Sequence, residues 1–259
     1  MIRSGNCLKL LMGILSAGII VIGDEILSGR TKDTNSHFIA KKLIESGIQL
    51  EEIRVIQDRK ELIIKSILEF HKKFTYVFTT GGIGPTHDDI TSESISDAFN
   101  QEYCFHKEAY KILEEYYPKG KFNEGRKKMA KMPKDAKLIL NPLSAAPGFI
   151  VKNIYVLPGV PDIMEKMFSS VLQIIKKGSP KKTLTLNTNL FESTIAQELE
   201  KIQLKFSECS IGSYPFYNYI SKTGGVNIVI SSWSIKNLDH IAKEIQEMIA
   251  LLGGKSSIV

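Results

Sequence analysis

The segment Thr75-Tyr-Val-Phe-Thr-Thr80 runs into Gly81-Gly-Ile-Gly-Pro-Thr-His-Asp-Asp-Ile-Thr91 and then into a helical pattern. An apolar strand that breaks into glycines and carboxylates before a helix is what an open α/β sheet carries at the carboxyl ends of its strands, where such sheets bind ligands. The flanking sequence agrees, because strand-like runs at 17–22, 52–57 and 75–80 alternate with helical runs at 35–46 and 61–72. That alternation predicts a mostly parallel sheet covered by helices on both faces, a three-layer α/β/α architecture. The two helical runs read as right-handed crossovers.

Further along, helices are expected near 91–100, 106–117 and 123–132. Phe149–Val151 and Ile154–Leu157 flank Lys152-Asn153 as a tight hairpin, and a helix follows from Asp162 to about Lys177. Gly178-Ser-Pro-Lys-Lys182 has linker composition. Strand 183–188, helix 192–204, strands 211–217 and 225–233 and helix 237–252 then describe a second, small α+β domain. The expected organisation is therefore a tail at 1–14, an α/β domain at 15–177 and an α+β domain at 183–259. The run Leu10–Ile22 imitates a signal peptide, but it ends in Gly23-Asp24-Glu25 and Ala17–Ile22 reads better as a buried strand. Met12 is an alternative start.

Of 259 residues, 43% are hydrophobic and 24% charged, with mean hydropathy −0.05, which excludes disorder and a multi-span membrane protein. Cys7, Cys104 and Cys209 lie far apart, so neither a zinc site nor a disulfide framework is signalled and a cytoplasmic location is expected. The net charge of +6 is local. The window from Lys119 to Lys137 holds Lys119, Lys121, Arg126, Lys127, Lys128, Lys131, Lys134 and Lys137 against Glu124 and Asp135. A patch of that kind without interleaved aromatics does not indicate a nucleic-acid partner.

Gly81, Gly82 and Gly84 can bring backbone amides to an anion, or simply make a sharp strand-to-helix turn. Asp88 and Asp89 are hard oxygen ligands suited to Mg²⁺, and Thr91 could cap the next helix. Asp24 and Glu25 leave the first strand on the same edge, open to a metal or general-base role or to a capped, solvated turn. Asp58 ends the second strand, and Asp33-Thr34-Asn35 opens the first long helix, each as a cap or a ligand contact. Arg126, Lys127, Lys128 and Lys131 would clamp a polyphosphate, or form a solvated helical face anchored by Met129 and Met132. His87 sits inside the loop, whereas the other histidines are scattered. Asn141 and Gly148 belong to an irregular loop whose rigidity explains them as well as a ligand does, and Pro158-Gly-Val-Pro161 begins a helix.

Five motifs occur in order: Gly23-Asp-Glu-Ile-Leu-x-Gly29, Asp33-Thr-Asn35, Gly81-Gly-Ile-Gly-Pro-Thr-x-Asp-Asp-Ile-Thr91, Ala146-Pro-Gly-Phe149 and Leu157-Pro-Gly-Val-Pro161. Over residues 17–175 the chain resembles the CinA-type (competence/damage-inducible protein A) branch of the molybdopterin-binding superfamily, which includes MogA and MoaB. The second module, with Ile211-Gly-Ser-Tyr-Pro215, is similar to the small domain of the same group and of eukaryotic FAD synthases. The resemblance implies a homo-oligomer, such as a dimer, that binds a dinucleotide or pterin beside the glycine loop. It implies divalent-metal-dependent cleavage (Mg, Mn or Co) of ADP-ribose-like dinucleotides. A non-catalytic binding module and a MogA-like pterin adenylyl transferase are the alternatives. Full-length members add a nicotinamide-nucleotide amidase domain, an activity not expected here.

Carried over by position, Asp89 and Asp58 are expected catalytic residues; for pyrophosphate cleavage Glu25 would join them by orienting or deprotonating water, with Asp88, Asp89 and Asp58 as the expected metal ligands. Gly23, Asp24, Asn35, Thr80, Gly81, Gly82, Gly84, Pro85, Thr86, Thr91, Arg126, Lys128, Gly148, Pro158 and Gly159 are the expected substrate and phosphate contacts. Ile83 stands where the pattern has Thr, and Gln57 where it has Pro, which counts against adenylyl transfer.

Overall fold

The structure is a computed structural model that describes residues 15–220, 223–234 and 237–259. The tail at 1–14 and the alternative start at Met12 lie outside the described residues. Two compact units divide after Gly178.

In the first unit, β1 (Leu15–Ile22), β2 (Ile48–Ile56) and β3 (Tyr76–Thr80) form the parallel heart of a six-stranded sheet. The sheet order is β2-β1-β3-β8-β7-β6, with β6 (Lys137–Ile139), β7 (Gly148–Val151) and β8 (Ile154–Leu157) on one flank. β8 runs parallel to β3, while β7 is antiparallel to both β8 and β6. The sheet is therefore mostly parallel, and β1, buried along nearly its whole length, reads as a continuous apolar run for that reason.

Alternate residues of β1 feed two cores. Ala17, Ile19 and Val21 pack with Ile39 and Leu43 of α2 (Asn35–Glu45) and Met164, Met167, Phe168 and Val171 of α7 (Pro161–Ile174). Ile20 and Ile22 face the other way, toward Ile63, Ile67 and Phe70 of α3 (Lys60–Lys73), Ile95 of α4 (Thr91–Ala98) and Leu113 of α5 (Lys107–Tyr116). The period of two in the strand and the i, i+3, i+4, i+7 spacing of α7 produce the three layers.

The elements depart from expectation in several places, with β6 and β12 (Ser256–Ile258) unexpected. β2 begins at Ile48, four residues earlier than its apolar run suggests. A single turn, α1 (Asp24–Leu27), follows β1. The helix expected at 123–132 stops after α6 (Glu124–Lys128), and β5 (Lys131–Pro133) pairs instead with β4 (Tyr103–Phe105) in a separate two-stranded sheet. Pro133 disfavours helical geometry at Met132, so Met132 is buried from a strand rather than from a helical face.

The second unit is a four-stranded antiparallel sheet, β10-β11-β9-β12, made of β9 (Lys182–Thr188), β10 (Ser210–Asn218), β11 (Thr223–Ser232) and β12 (Ser256–Ile258). α8 (Glu192–Lys205) and α9 (Asp239–Leu251) complete one core that includes Leu186, Ile195, Val226, Ile228 and Ile245.

Candidate functional site

The carboxyl ends of β1, β3 and β8 open on a cleft of about 460 Å³. On one side lies the loop after β3. Gly81 (φ +101°) and Gly82 (φ +68°) take left-handed backbone conformations. A Cβ on Gly81 would overlap the carbonyl oxygen of Ile22, and one on Gly82 would overlap the Thr91 hydroxyl. Thr91 is fully buried, donates through Oγ1 to Gly81 O (3.1 Å) and through its amide to Gly82 O (2.9 Å), and so pins the turn rather than facing a ligand. The Gly81 amide donates to Leu157 O (3.2 Å), which extends the β3–β8 pairing and removes that amide from the expected anion donors. The amides of Gly82, Ile83 and Gly84 have no protein acceptor among the described residues.

Asp89 lines the cleft, and its Oδ2 accepts from the Thr86 amide (2.8 Å) and hydroxyl. Asp88, its side chain 66% exposed, does not line the cleft. The Asp24 amide donates to Asp58 Oδ2 (3.0 Å), tying α1 to the end of β2. Burial pushes the half-buried Asp58 carboxyl above the usual carboxylate range; the Asp24 amide opposes this, and the charges of Asp24, Glu25 and Asp88 add to it. These four acids are thus near neighbours, and Glu25 also lines the cleft. Gly23 continues the strand pairing through its amide to Ile56 O (3.1 Å).

The cleft is also lined by Pro158, Gly159, Val160 and Ile163, which follow β8 beside Gly81, and by Asn141, Ser144, Ala146 and Pro147. Met129 and Pro85 also line it. Beside Gly81 and Gly159 the cleft continues into a narrower recess bordered by Asn35 and Thr80. Gly148 stands apart, because a Cβ there would overlap Val156 O, so this glycine allows close approach of β7 and β8. Arg126 and Lys127 of the basic segment are engaged elsewhere. The Arg126 guanidinium lies 4.1 Å from the centre of the Tyr117 ring and donates to Lys121 O, and Lys127 pairs with Glu124 (2.6 Å). Lys128 reaches the glycine loop, where its ammonium donates to Thr86 O. The expected polyphosphate clamp by Arg126 is replaced by a stacked arginine.

Among the described residues no three His, Cys, Asp or Glu side chains are grouped closely enough to hold a metal ion. Asp58, Asp88 and Asp89 do not form a closed cage. Of the three, Asp89 alone lines the cleft, and neither Asp58 nor Asp88 borders it or the recess beside it.

The loop of Ser144 was expected near the ligand from the family resemblance, but sequence reasoning did not find Met129, Thr31, Val160 or Ile163 at the cleft. The Leu157-Pro-Gly-Val-Pro161 motif was the signal near Val160 and Ile163.

Residues 18–177 match the family described as "Probable molybdopterin binding domain". The chain belongs to that family. Residues 181–252 match the "FAD synthase, middle domain" family. A protein of Archaeoglobus fulgidus is 34% identical over 231 residues, which cover 89% of this chain and 96% of the relative. A Caenorhabditis elegans protein named as a probable FAD synthase is 31% identical over 91% of this chain, which spans only 50% of that relative. A Clostridioides difficile protein named as competence-damage inducible is 38% identical over 60% of this chain and 38% of its own length. Among solved structures, a protein CinA of unknown function from Thermoplasma acidophilum superposes with a TM-score of 0.59 and 31% identity, over 62% of this chain and 97% of that one. The chain is thus a CinA-like molybdopterin-binding domain joined to an FAD-synthase-type middle domain. Among the described residues no helix is long and apolar enough to cross a membrane.

Proposed function

We propose that the chain cleaves the pyrophosphate bond of ADP-ribose or a similar AMP-containing dinucleotide, with a divalent cation (Mg, Mn or Co). The observation that carries this reading is the meeting of unpaired loop amides and carboxylates around one cleft. The amides of Gly82, Ile83 and Gly84 would receive the phosphate oxygens, with Lys128 supporting the loop from behind. Asp89, the expected ligand that lines the cleft, would hold the cation together with the phosphates, with Asp58 and Asp88 outside the lining, and the chemistry the cation would supply is charge neutralisation of the pyrophosphate. Glu25, bordering both cleft and recess, would orient or deprotonate the attacking water. The likeness to a named FAD synthase is consistent with an adenine dinucleotide as ligand.

The test incubates the full chain with ADP-ribose, FAD or NAD, and with ATP plus molybdopterin, in Mg²⁺, Mn²⁺ or Co²⁺, and follows AMP release. An Asp88→Asn/Asp89→Asn double variant is the control. Metal-dependent AMP release lost in the variant is the expected result. Adenylylated pterin would replace hydrolysis by group transfer, and saturable binding without turnover would leave a carrier module.

A further inference from the structure

The recess beside the glycine loop has a volume of about 50 Å³, room for a hydroxyl group with a water beside it. Asn35, at the first turn of α2, is 7% exposed and borders it. Its Nδ2 donates to Gly159 O (2.8 Å), and this contact orients the amide, because the reverse placement would set two carbonyl oxygens against each other. Asn35 Oδ1 is therefore a buried acceptor, and none of the described residues donates to it. A buried amide oxygen of this kind calls for a donor from outside the chain.

The rest of the recess has the same polarity. Glu25 and Asp33 bring two carboxylates against the single cation Lys32, with one Asp33 oxygen accepting the Ser36 amide (3.0 Å). A phosphate presents oxygens without protons and would meet acceptors with acceptors. A pair of sugar hydroxyls donates, and acidic side chains serve ribose diols in this way at other α/β switch points. Because Gly81 borders both the recess and the main cleft, a sugar attached to a phosphate on the loop amides comes next to Asn35.

We infer that this recess is the ribosyl subsite of the cleft, with Asn35 Oδ1 accepting a hydrogen bond from a hydroxyl of the ribose that adjoins the pyrophosphate. The inference rests on the proposed dinucleotide reading. It assigns Asn35 to the sugar and not to phosphate, and it gives the ligand a direction: phosphates over residues 82–84, sugar toward the start of α2.

Calorimetric titration of the full chain with ADP, 2′-deoxy-ADP and 3′-deoxy-ADP tests it. In the unsubstituted protein at least one deoxy analogue should bind about fivefold to tenfold more weakly, the range expected for one hydrogen bond. In Asn35→Ala the same analogue should lose less than about twofold relative to ADP. Asn35→Ala should bind inorganic pyrophosphate, which has no sugar, as tightly as the unsubstituted protein does, which separates loss of the sugar contact from loss of the fold. Equal binding of all three nucleotides, or an unchanged deoxy penalty in Asn35→Ala, overturns the inference. Failure of ADP to bind at all overturns both it and the dinucleotide reading. Diol discrimination without AMP release from dinucleotides supports the subsite and removes only the hydrolase.

Discussion

Asp58 combines partial burial with three like charges, and its position makes stability and activity pull in opposite directions. A carboxyl whose folded pKa is raised stabilises the fold most at pH below its unfolded value, and that contribution is lost as pH rises through the folded value. At pH 7 the ionised Asp58 therefore costs stability. Asp58→Asn keeps an acceptor for the Asp24 amide and should raise Tm by about 2 °C at pH 7 while abolishing turnover. The gain should shrink as pH falls toward the ordinary aspartate value of 3.8. Thermal melts at pH 7 and pH 4 check this, and a lower melting point at pH 7 would make the carboxylate a structural asset instead. Glycines divide by the same kind of local reasoning. Gly29 (φ +71°) has open space around its missing Cβ, so Gly29→Ala should cost only the left-handed strain, about 1 kcal/mol. Gly81→Ala adds a clash with the Ile22 backbone and should cost about 3 kcal/mol or more together with nucleotide affinity. Urea denaturation of the two variants side by side measures the difference.

At the scale of elements, the cleft lining has two parts with different sequence visibility. The glycine–carboxylate wall is contiguous from Thr79 to Thr91, and its strand, turn and helix each carry a local signal, so it could be read directly. The rest of the lining is assembled from Met129, Asn141, Ser144, Ala146 and Pro147 and from Pro158, Gly159, Val160 and Ile163, brought there by sheet order, which short-range periodicity does not encode. Three-residue strands such as β4, β5 and β12 are likewise too brief for an alternation to show. Asn141 illustrates what the sequence left open between a ligand contact and a rigid loop. Its Nδ2 donates to Ser144 Oγ (2.7 Å) and Ala146 O (2.9 Å), and its Oδ1 accepts from the amides of Leu143 (2.9 Å) and Ser144 (3.1 Å). All four hydrogen-bonding positions are occupied within the loop, where Ala145 sits at φ +62°. Asn141 is a staple. Asn141→Asp would turn two donors into acceptors facing Ser144 and Ala146, so KM for the dinucleotide should rise about tenfold with kcat changed less than about threefold, as steady-state kinetics would show. A kcat loss at unchanged KM would place Asn141 in contact with the reacting groups.

For the whole molecule, the decisive feature is that the buried apolar residues fall into separate cores: two on the faces of the first unit's sheet and one within the second unit. Each unit of this size can bury enough surface to fold cooperatively. Calorimetry of the full chain should therefore show two unfolding transitions, and substitutions should sort between them. Phe168 is fully buried and meets Phe78 edge to face at 5.1 Å, so Phe168→Ala should remove about 3–5 kcal/mol from the first unit. Ile245, fully buried in the second core, should cost that unit about 2–5 kcal/mol as Ile245→Ala. If each variant lowers one transition and leaves the other in place, the cleft is carried by an autonomous domain, and ADP should raise only the transition that Phe168→Ala lowers, since ligand binding stabilises the unit that binds it. If ADP raises both, binding is shared with the second unit and the cleft of the first is an incomplete site.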